Sequence, residues 1–330
     1  MSVLRWGEFG EMAVRKMGQV KPGESLLILA DTRTDMEIAE ACLIAGINAK
    51  ADAQMLVIPW MALSDTRELN RVTIGAIRES DVIVGLCETM FIATETTTAA
   101  RKNGTRIAAT FVSGMEDFAI DGIVNVDYDK MIASANKAIK LWENADICRV
   151  TSTAGTDISF GMKGRPALLG DGMATVPGEA DFFPGVSIAN APIEETINGT
   201  IVIDGNIPPG RLVNEPVTCR IEKGVIVEIT GGVDANSLKD EFDKTQDPIA
   251  KHICHFTLGL NPQAKTTGHL HQDEHVLGAV TFGSGSQDPD FKGNVPPSKV
   301  HFDVVLPSST IYLDGVIMCE NNRLNPELGL

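Results

Sequence analysis

The spacing of apolar residues changes character partway along this chain, and that change constrains the fold more than any single motif. From Ser25 to about Tyr128 short apolar runs alternate with amphipathic stretches, the rhythm of βα units that build a parallel sheet. SLLILA, AKADAQMLVI, DVIVGLC and TRIAATF read as strands, and MEIAEACLIAGI and ATETTTAARKNG as helices with a glycine near each C-terminus. After the helical stretch DKMIASANKAIKLWENA the texture becomes β-branched residues punctuated by glycine and proline, and it stays so to Leu330. ICRVTSTAGTDISF reads as a hairpin turning at Ala154-Gly155, and GTIVIDGNI, PVTCRIEKGVIVEITGG and STIYLDGVIM continue strand, turn, strand. The expectation is a doubly wound, Rossmann-like α/β domain over residues 1–145 and a β-rich α+β domain over 146–330. A length of 330 residues suits two domains of roughly 150 each.

Several function classes fall away on composition. The first strand is followed by Asp31-Thr32-Arg33-Thr34, and no G-x-G-x-x-G or G-x-x-x-x-G-K-[ST] follows any strand run, so the phosphate-cradling turns of nucleotide-binding sheets are missing. With 28 basic residues scattered among 44 acidic ones, a net charge of −16 argues against a nucleic-acid partner. No apolar run reaches the roughly 18–20 residues that span a bilayer. The opening MSVLRWGEFGEM lacks the basic start and apolar core of a secretory signal, so a cytoplasmic location is expected. Six cysteines, far apart and without a C-x-x-C pair, read as reduced and mostly buried.

The chemistry concentrates in the last quarter. All six histidines (His252, His255, His269, His271, His275, His301) lie between positions 252 and 301, and a cluster of imidazoles points to a metal site. In Val300-His301-Phe302-Asp303-Val304-Val305 only His301 and Asp303 are polar, and residues two apart on a strand share a face. An imidazole and a carboxylate therefore project together. A buried His–Asp pair that only stabilises the fold is the plainer reading; a third ligand would separate the two. His255 opens the apolar run HFTLGLNP and is the leading candidate, with His252 as its competitor. Two histidines and one carboxylate form the facial triad of non-haem Fe(II) oxygenases, which leaves positions open for O₂ and a chelating substrate.

FPGVSIANAPIEETINGTIVIDG (183–205), HFTLGLNPQAK (255–265), DEHVLGAVTFGSG (273–285) and HFDVVLPSSTIYLDG (301–315) follow the block order of the leucyl aminopeptidase/aminopeptidase T superfamily, which the C-terminal half resembles. VKPGESLLILADTRTDMEIAEACLIAG resembles that family's opening strand and helix. Its aminopeptidases hold two metals. Aligning the blocks puts Ser187, His255 and Thr281 where that resemblance implies Glu, Glu and His, while His301 and Asp303 are retained. Serine and threonine hydroxyls are poor replacements for such ligands, so a second metal loses most of its coordination and about one metal per chain is expected. The remaining His255, His301 and Asp303 are similar to the mononuclear iron site of the 2,5-dihydroxypyridine 5,6-dioxygenase family, which is built on the same scaffold. That resemblance implies Fe(II), O₂ and extradiol-type opening of a small aromatic substrate, a dihydroxypyridine-like N-heteroaromatic.

Candidates for the acid/base are His269, His271 and Glu274, with His275, in GHLHQDEHV, where an extended segment would put His269 and His271 on one face. Glu274 could equally be a solvated carboxylate. Ser284 and Ser286 in GSGSQD, with Ser187, are candidates for substrate hydrogen bonds. Assembly as a homo-oligomer is expected. Two rival classes stay open: a metal-dependent aminopeptidase that recruits ligands such as Glu274 or His271, revealed by dipeptide hydrolysis with added cobalt or zinc, and a non-catalytic binding protein, whose function would survive metal removal.

Overall fold

The structure, a computed structural model, describes residues 2–61, 69–112 and 116–330. They form two compact units, one of residues 1–126 with 170–185 and the other of residues 127–169 with 186–330.

The first unit is built on a five-stranded sheet of β1 (Ser25–Asp31), β2 (Asp52–Ile58), β3 (Val82–Gly85), β4 (Arg106–Ala109) and β8 (Ala180–Phe182). All pairs are parallel and the order is β2-β1-β3-β4-β8. The helices are α1 (Ser2–Glu11), α2 (Met36–Asn48), α3 (Arg71–Arg78), α4 (Glu95–Lys102) and the single turn α5 (Glu116–Ala119). Asp35, Asn70 and Thr94 each accept from a backbone amide of the first turn of α2, α3 and α4, which sets where those helices begin. The four strand runs and two helices read from periodicity are all present. The polar turn after β1 is consumed internally: buried Asp31 accepts from the Thr89 amide and hydroxyl, and Thr34 donates to the Leu86 carbonyl.

In the second unit, α6 (Tyr128–Asn144) leads into β5 (Ile147–Thr151) and β6 (Asp157–Gly161), the hairpin expected at Ala154-Gly155. These two join β10 (Ile193–Ile203), β13 (Val217–Glu222), β14 (Val225–Thr230), β18 (Thr310–Leu313), β19 (Val316–Glu320) and β20 (Arg323–Leu324) in one antiparallel sheet. A second sheet runs β12-β11-β17-β16-β15-β9-β7. Its strands are β7 (Leu168–Gly170), β9 (Ser187–Asn190), β11 (Asn206–Ile207), β12 (Arg211–Leu212), β15 (Ile253–Gly259), β16 (Val280–Gly285) and β17 (His301–Leu306). Two further helices, α7 (Val233–Thr245) and the short α8 (Leu270–Asp273), lie in this unit.

Alternation splits the second sheet into an apolar face and a polar one. Phe256 and Phe282 sit opposite each other on β15 and β16, with ring centroids 5.5 Å apart, and Trp142 of α6 stacks on Phe256 at 4.9 Å. Phe160 of β6 meets Phe256 edge-on at 5.0 Å, so the apolar face packs against the other sheet. All six cysteines are free and buried, as expected. Among the described residues no helix is long and apolar enough to cross a membrane.

Phe256 is fully buried one residue from His255. Phe256→Ala is expected to cost about 3–5 kcal/mol of stability in urea unfolding, and a loss under 1 kcal/mol would show that this aromatic cluster is not the support of the sheet.

Candidate functional site

His255, Gly283 and Asp303 stand in one row across three adjacent strands, since His255 pairs with Gly283 and Gly283 with Asp303. Strands two apart are separated by roughly 9–10 Å, so the two side chains must reach toward each other over the middle residue. Only a glycine leaves that space: a Cβ at position 283 would lie 1.9 Å from two atoms of the His255 ring and 3.0 Å from Asp303 Oδ1. His301, two residues before Asp303 on β17, falls on the same face opposite Gly285. The three side chains converge, with His255 Nε2 at 2.9 Å from Asp303 Oδ1 and His301 Nε2 at 3.1 Å from Asp303 Oδ2. The two imidazoles stack, centroids 5.1 Å apart and 16° from parallel.

The far ring nitrogens decide what this arrangement can hold. His301 Nδ1 is 2.7 Å from the Ser286 carbonyl, which only accepts, so Nδ1 carries hydrogen. A neutral His301 would then aim the lone pair of Nε2 at a carboxylate oxygen. That contact is favourable only with a cation between or beside them, either a proton or a metal. His255 Nδ1 lies 2.9 Å from the Thr257 hydroxyl, which can donate or accept, so this ring is free to present Nε2 in either form. Burial by itself would lower the pKa of His301, but the charge and hydrogen bond of Asp303 outweigh it and hold the imidazole well above its usual value. Burial likewise opposes ionisation of Asp303, and the His301 charge with the two imidazole hydrogen bonds overcomes it and drives the carboxyl far down. Two imidazole nitrogens, each ring oriented by a partner on its far nitrogen, and one carboxylate are a donor set that fits a divalent transition metal.

A second polar group lies on the same sheet face. The backbone of residues 274–276 rests on Gly259, whose Cβ would fall within 2.6 Å of it. There His271 Nδ1 is 3.4 Å and His275 Nδ1 3.8 Å from Glu274 Oε1. His275 Nδ1 donates to the His271 carbonyl at 2.6 Å. Burial raises the Glu274 carboxyl to about 7, with His275 opposing and the Asp303 charge adding to the rise. Burial also lowers His275. The short helix α8, which carries His271 and has Glu274 at its C-cap, is pinned by Asp273, whose two oxygens accept from the amides of Thr267 and Gly268, the Thr267 hydroxyl and Asn206 Nδ2.

The structure brings His255 to Asp303 and leaves the competing His252 outside the group, its Nδ1 buried with no partner among the described residues. The segment with His269 and His271 is helical and not extended, so the two do not share a face: His269 is exposed before α8 and His271 is buried within it. Ser284 is turned to the apolar face, where it lines the core with Ile201, Ile253, Phe282 and Val304. It is not brought to the histidines. Ser286 contributes its backbone carbonyl, and Ser187 pairs with Gly259 on β9. Thr281, on the histidine face between the two groups, has a fully buried hydroxyl with no partner among the described residues. Gly283, Thr257 and the Ser286 carbonyl went unread in the sequence. Glycine inside the strand VTFGSG was the one available signal, because a glycine within a strand marks a close approach.

The fold is shared with a known enzyme class. The solved structure of 2,5-dihydroxypyridine dioxygenase from Pseudomonas putida KT2440 matches over 100% of both chains with a TM-score of 0.80 at 24% identity. Wild-type AmpT from Thermus thermophilus matches over 97% of this chain and 99% of its own with a TM-score of 0.68 at 16% identity. The chain belongs to the NicX family, described as 2,5-dihydroxypyridine 5,6-dioxygenase, whose profile matches residues 12–326. The curated 2,5-dihydroxypyridine 5,6-dioxygenase of Pseudomonas putida is 33% identical over 184 residues, an alignment that spans 53% of each chain.

Two outcomes follow from this geometry. Gly283→Ala must push the His255 ring aside, and it is expected to weaken metal binding at least about tenfold while costing about 1–3 kcal/mol of stability from overpacking; unchanged metal affinity in a competition titration would count against the meeting of His255 and Asp303 over this glycine. In metal-free protein the raised His301 contributes stability that is fully present below its unfolded pKa of about 6.5 and is lost as pH rises through the folded value, while Asp303 contributes above about 3.9 and loses its share as pH falls. Their joint contribution to the urea midpoint should thus be largest between about pH 4 and 6.5. Metal affinity should climb over the alkaline limb, since His301 must release a proton to bind.

Proposed function

We propose that the protein is a mononuclear non-haem Fe(II) dioxygenase that opens the ring of a dihydroxypyridine-like heteroaromatic. The observation that carries this reading is the convergence of His255 Nε2, His301 Nε2 and the Asp303 carboxylate over Gly283, in a chain of the NicX family. These three side chains would hold the metal. Bound there, Fe(II) supplies open coordination positions at which a chelating substrate and O₂ can meet. One carboxylate with two neutral imidazoles leaves a net positive charge on such a centre, which suits an anionic hydroxypyridine.

The chain's own residues do the remaining work. Ser286 O fixes the hydrogen of His301 on Nδ1, and Thr257 can do the same for His255, so both Nε2 lone pairs point inward. Glu274, raised by burial to about 7, can take a proton from a substrate hydroxyl and return one near neutral pH, with His271 beside it to share that proton. His269, exposed before the helix, is poorly placed for this role. The unpartnered Thr281 hydroxyl is the polar atom on this face best suited to a substrate hydrogen bond, a part that Ser284 cannot play from the core side. The aminopeptidase alternative has less support, because Ser187 and Thr281 supply no ligand for a second ion.

Protein purified without air and loaded with Fe(II) is expected to retain about one metal per chain and to consume O₂ with one of a panel of hydroxypyridines and catechols. Asp303→Ala should lose most of that iron and all O₂ uptake. An Asp303→Ala variant that keeps the parent's iron and turnover, or a parent holding two tight equivalents close together, would overturn the assignment.

A further inference from the structure

Residues 286–300 join β16 to β17 with no strand and a single short turn at Pro289–Phe291. A connection of this length keeps one conformation only where it is tied down. The first part of it touches both histidines. The Ser286 carbonyl accepts from His301 Nδ1, the Phe291 ring lies parallel to His255 with centroids 5.7 Å apart and 6° between planes, and Gln287 Nε2 donates to the carbonyl of Cys254, just before His255. The ties that hold the loop come from elsewhere in the unit. Arg165 donates through Nη1 to the Lys292 carbonyl and through Nη2 to Glu194, and Glu194 Oε1 accepts from the Asn294 amide at 2.6 Å. The Arg165 and Glu194 side chains are only 9% and 17% exposed. A buried ion pair is a costly way to gain stability alone, and the fork geometry of Arg165 is spent on one loop carbonyl and one carboxylate that itself grips the loop.

We propose that the Arg165–Glu194 pair is a clamp that presses the loop 286–294 onto His255 and His301, so that Arg165, Glu194 and Phe291 are positioning residues for the metal centre. This rests on the reading that those histidines hold a metal.

Cobalt(II) uptake by the full chain, followed by its visible absorption bands and by competition with a chelator, tests it. Phe291→Leu and Arg165→Met are each expected to weaken the ion about 10- to 100-fold and to shift the bands. Phe291→Tyr, which keeps the stacked ring, should restore both. Because the two residues act through one loop, the double variant should bind little worse than the weaker single one. If Arg165→Met does not fold, the part-exposed Phe291 decides alone. Variants that match the parent in affinity and spectrum overturn the clamp whatever their melting temperature, and fully additive losses overturn the shared route. A parent that takes up no cobalt or Fe(II) overturns the metal reading and the clamp with it.

Discussion

The carboxylate of Asp303 receives an imidazole nitrogen on each oxygen, at 2.9 and 3.1 Å, and the surrounding architecture is arranged so that these contacts can form. Three strands must lie in a register that sets Gly283 between the two partners. The apolar face behind them must be rigid enough to hold that register, which the stack of Trp142, Phe256, Phe160 and Phe282 provides. An arrangement that crowds two nitrogens onto a mostly buried carboxylate is unfavourable without a positive charge to share. The Asp303 charge and hydrogen bond raise the His301 imidazole well above its usual value and so favour a proton there; on the function proposed above a divalent ion would take its place.

Two carboxyls on one face are pushed in opposite directions. Asp303 is held ionised by its imidazoles despite burial, and Glu274, with a weaker set of partners, is raised to about 7 by burial. On the function proposed above, environments that separate two neighbouring acids in this way would suit Asp303 to stay a permanent anion and Glu274 to exchange protons. The hydroxyl of Thr281 between them is polar, buried and unpartnered, a state that costs stability unless something else engages it. The position is filled by a residue that can bind a ligand group and cannot hold a metal firmly.

Much of this was legible in the residues. The change of period near the middle of the chain separates the parallel sheet from the antiparallel ones, because buried βα units and half-exposed hairpins need different apolar spacing. HFDVV places His301 and Asp303 on one face by alternation alone. The acid/base segment was less legible. GHLHQDEHV alternates like a strand, yet it folds as a helical turn, because the Asp273 carboxylate draws in the Thr267 and Gly268 amides, a closure that periodicity does not report. The parallel sheet also recruits β8 from a point beyond the first antiparallel hairpin, and a three-residue strand carries no period of its own.

The choice of His255 as the partner of Asp303 shows where sequence stops. By itself the sequence determined the composition of the site, its confinement to the last quarter of the chain, and the shared face of His301 and Asp303, since each depends only on residue identity or on spacing within one strand. Which histidine meets that pair depends on pairing between strands. Ile253 pairs with Ser284, and regular antiparallel register would set Cys254 opposite Gly283. A bulge at Cys254 shifts the ladder by one residue, so His255 takes that place and turns toward Asp303 while Phe256 turns to the core. A one-residue shift reverses every face on the strand. Only the packed tertiary structure decides it, because the aromatic core on one side and the glycine gap on the other must be satisfied together.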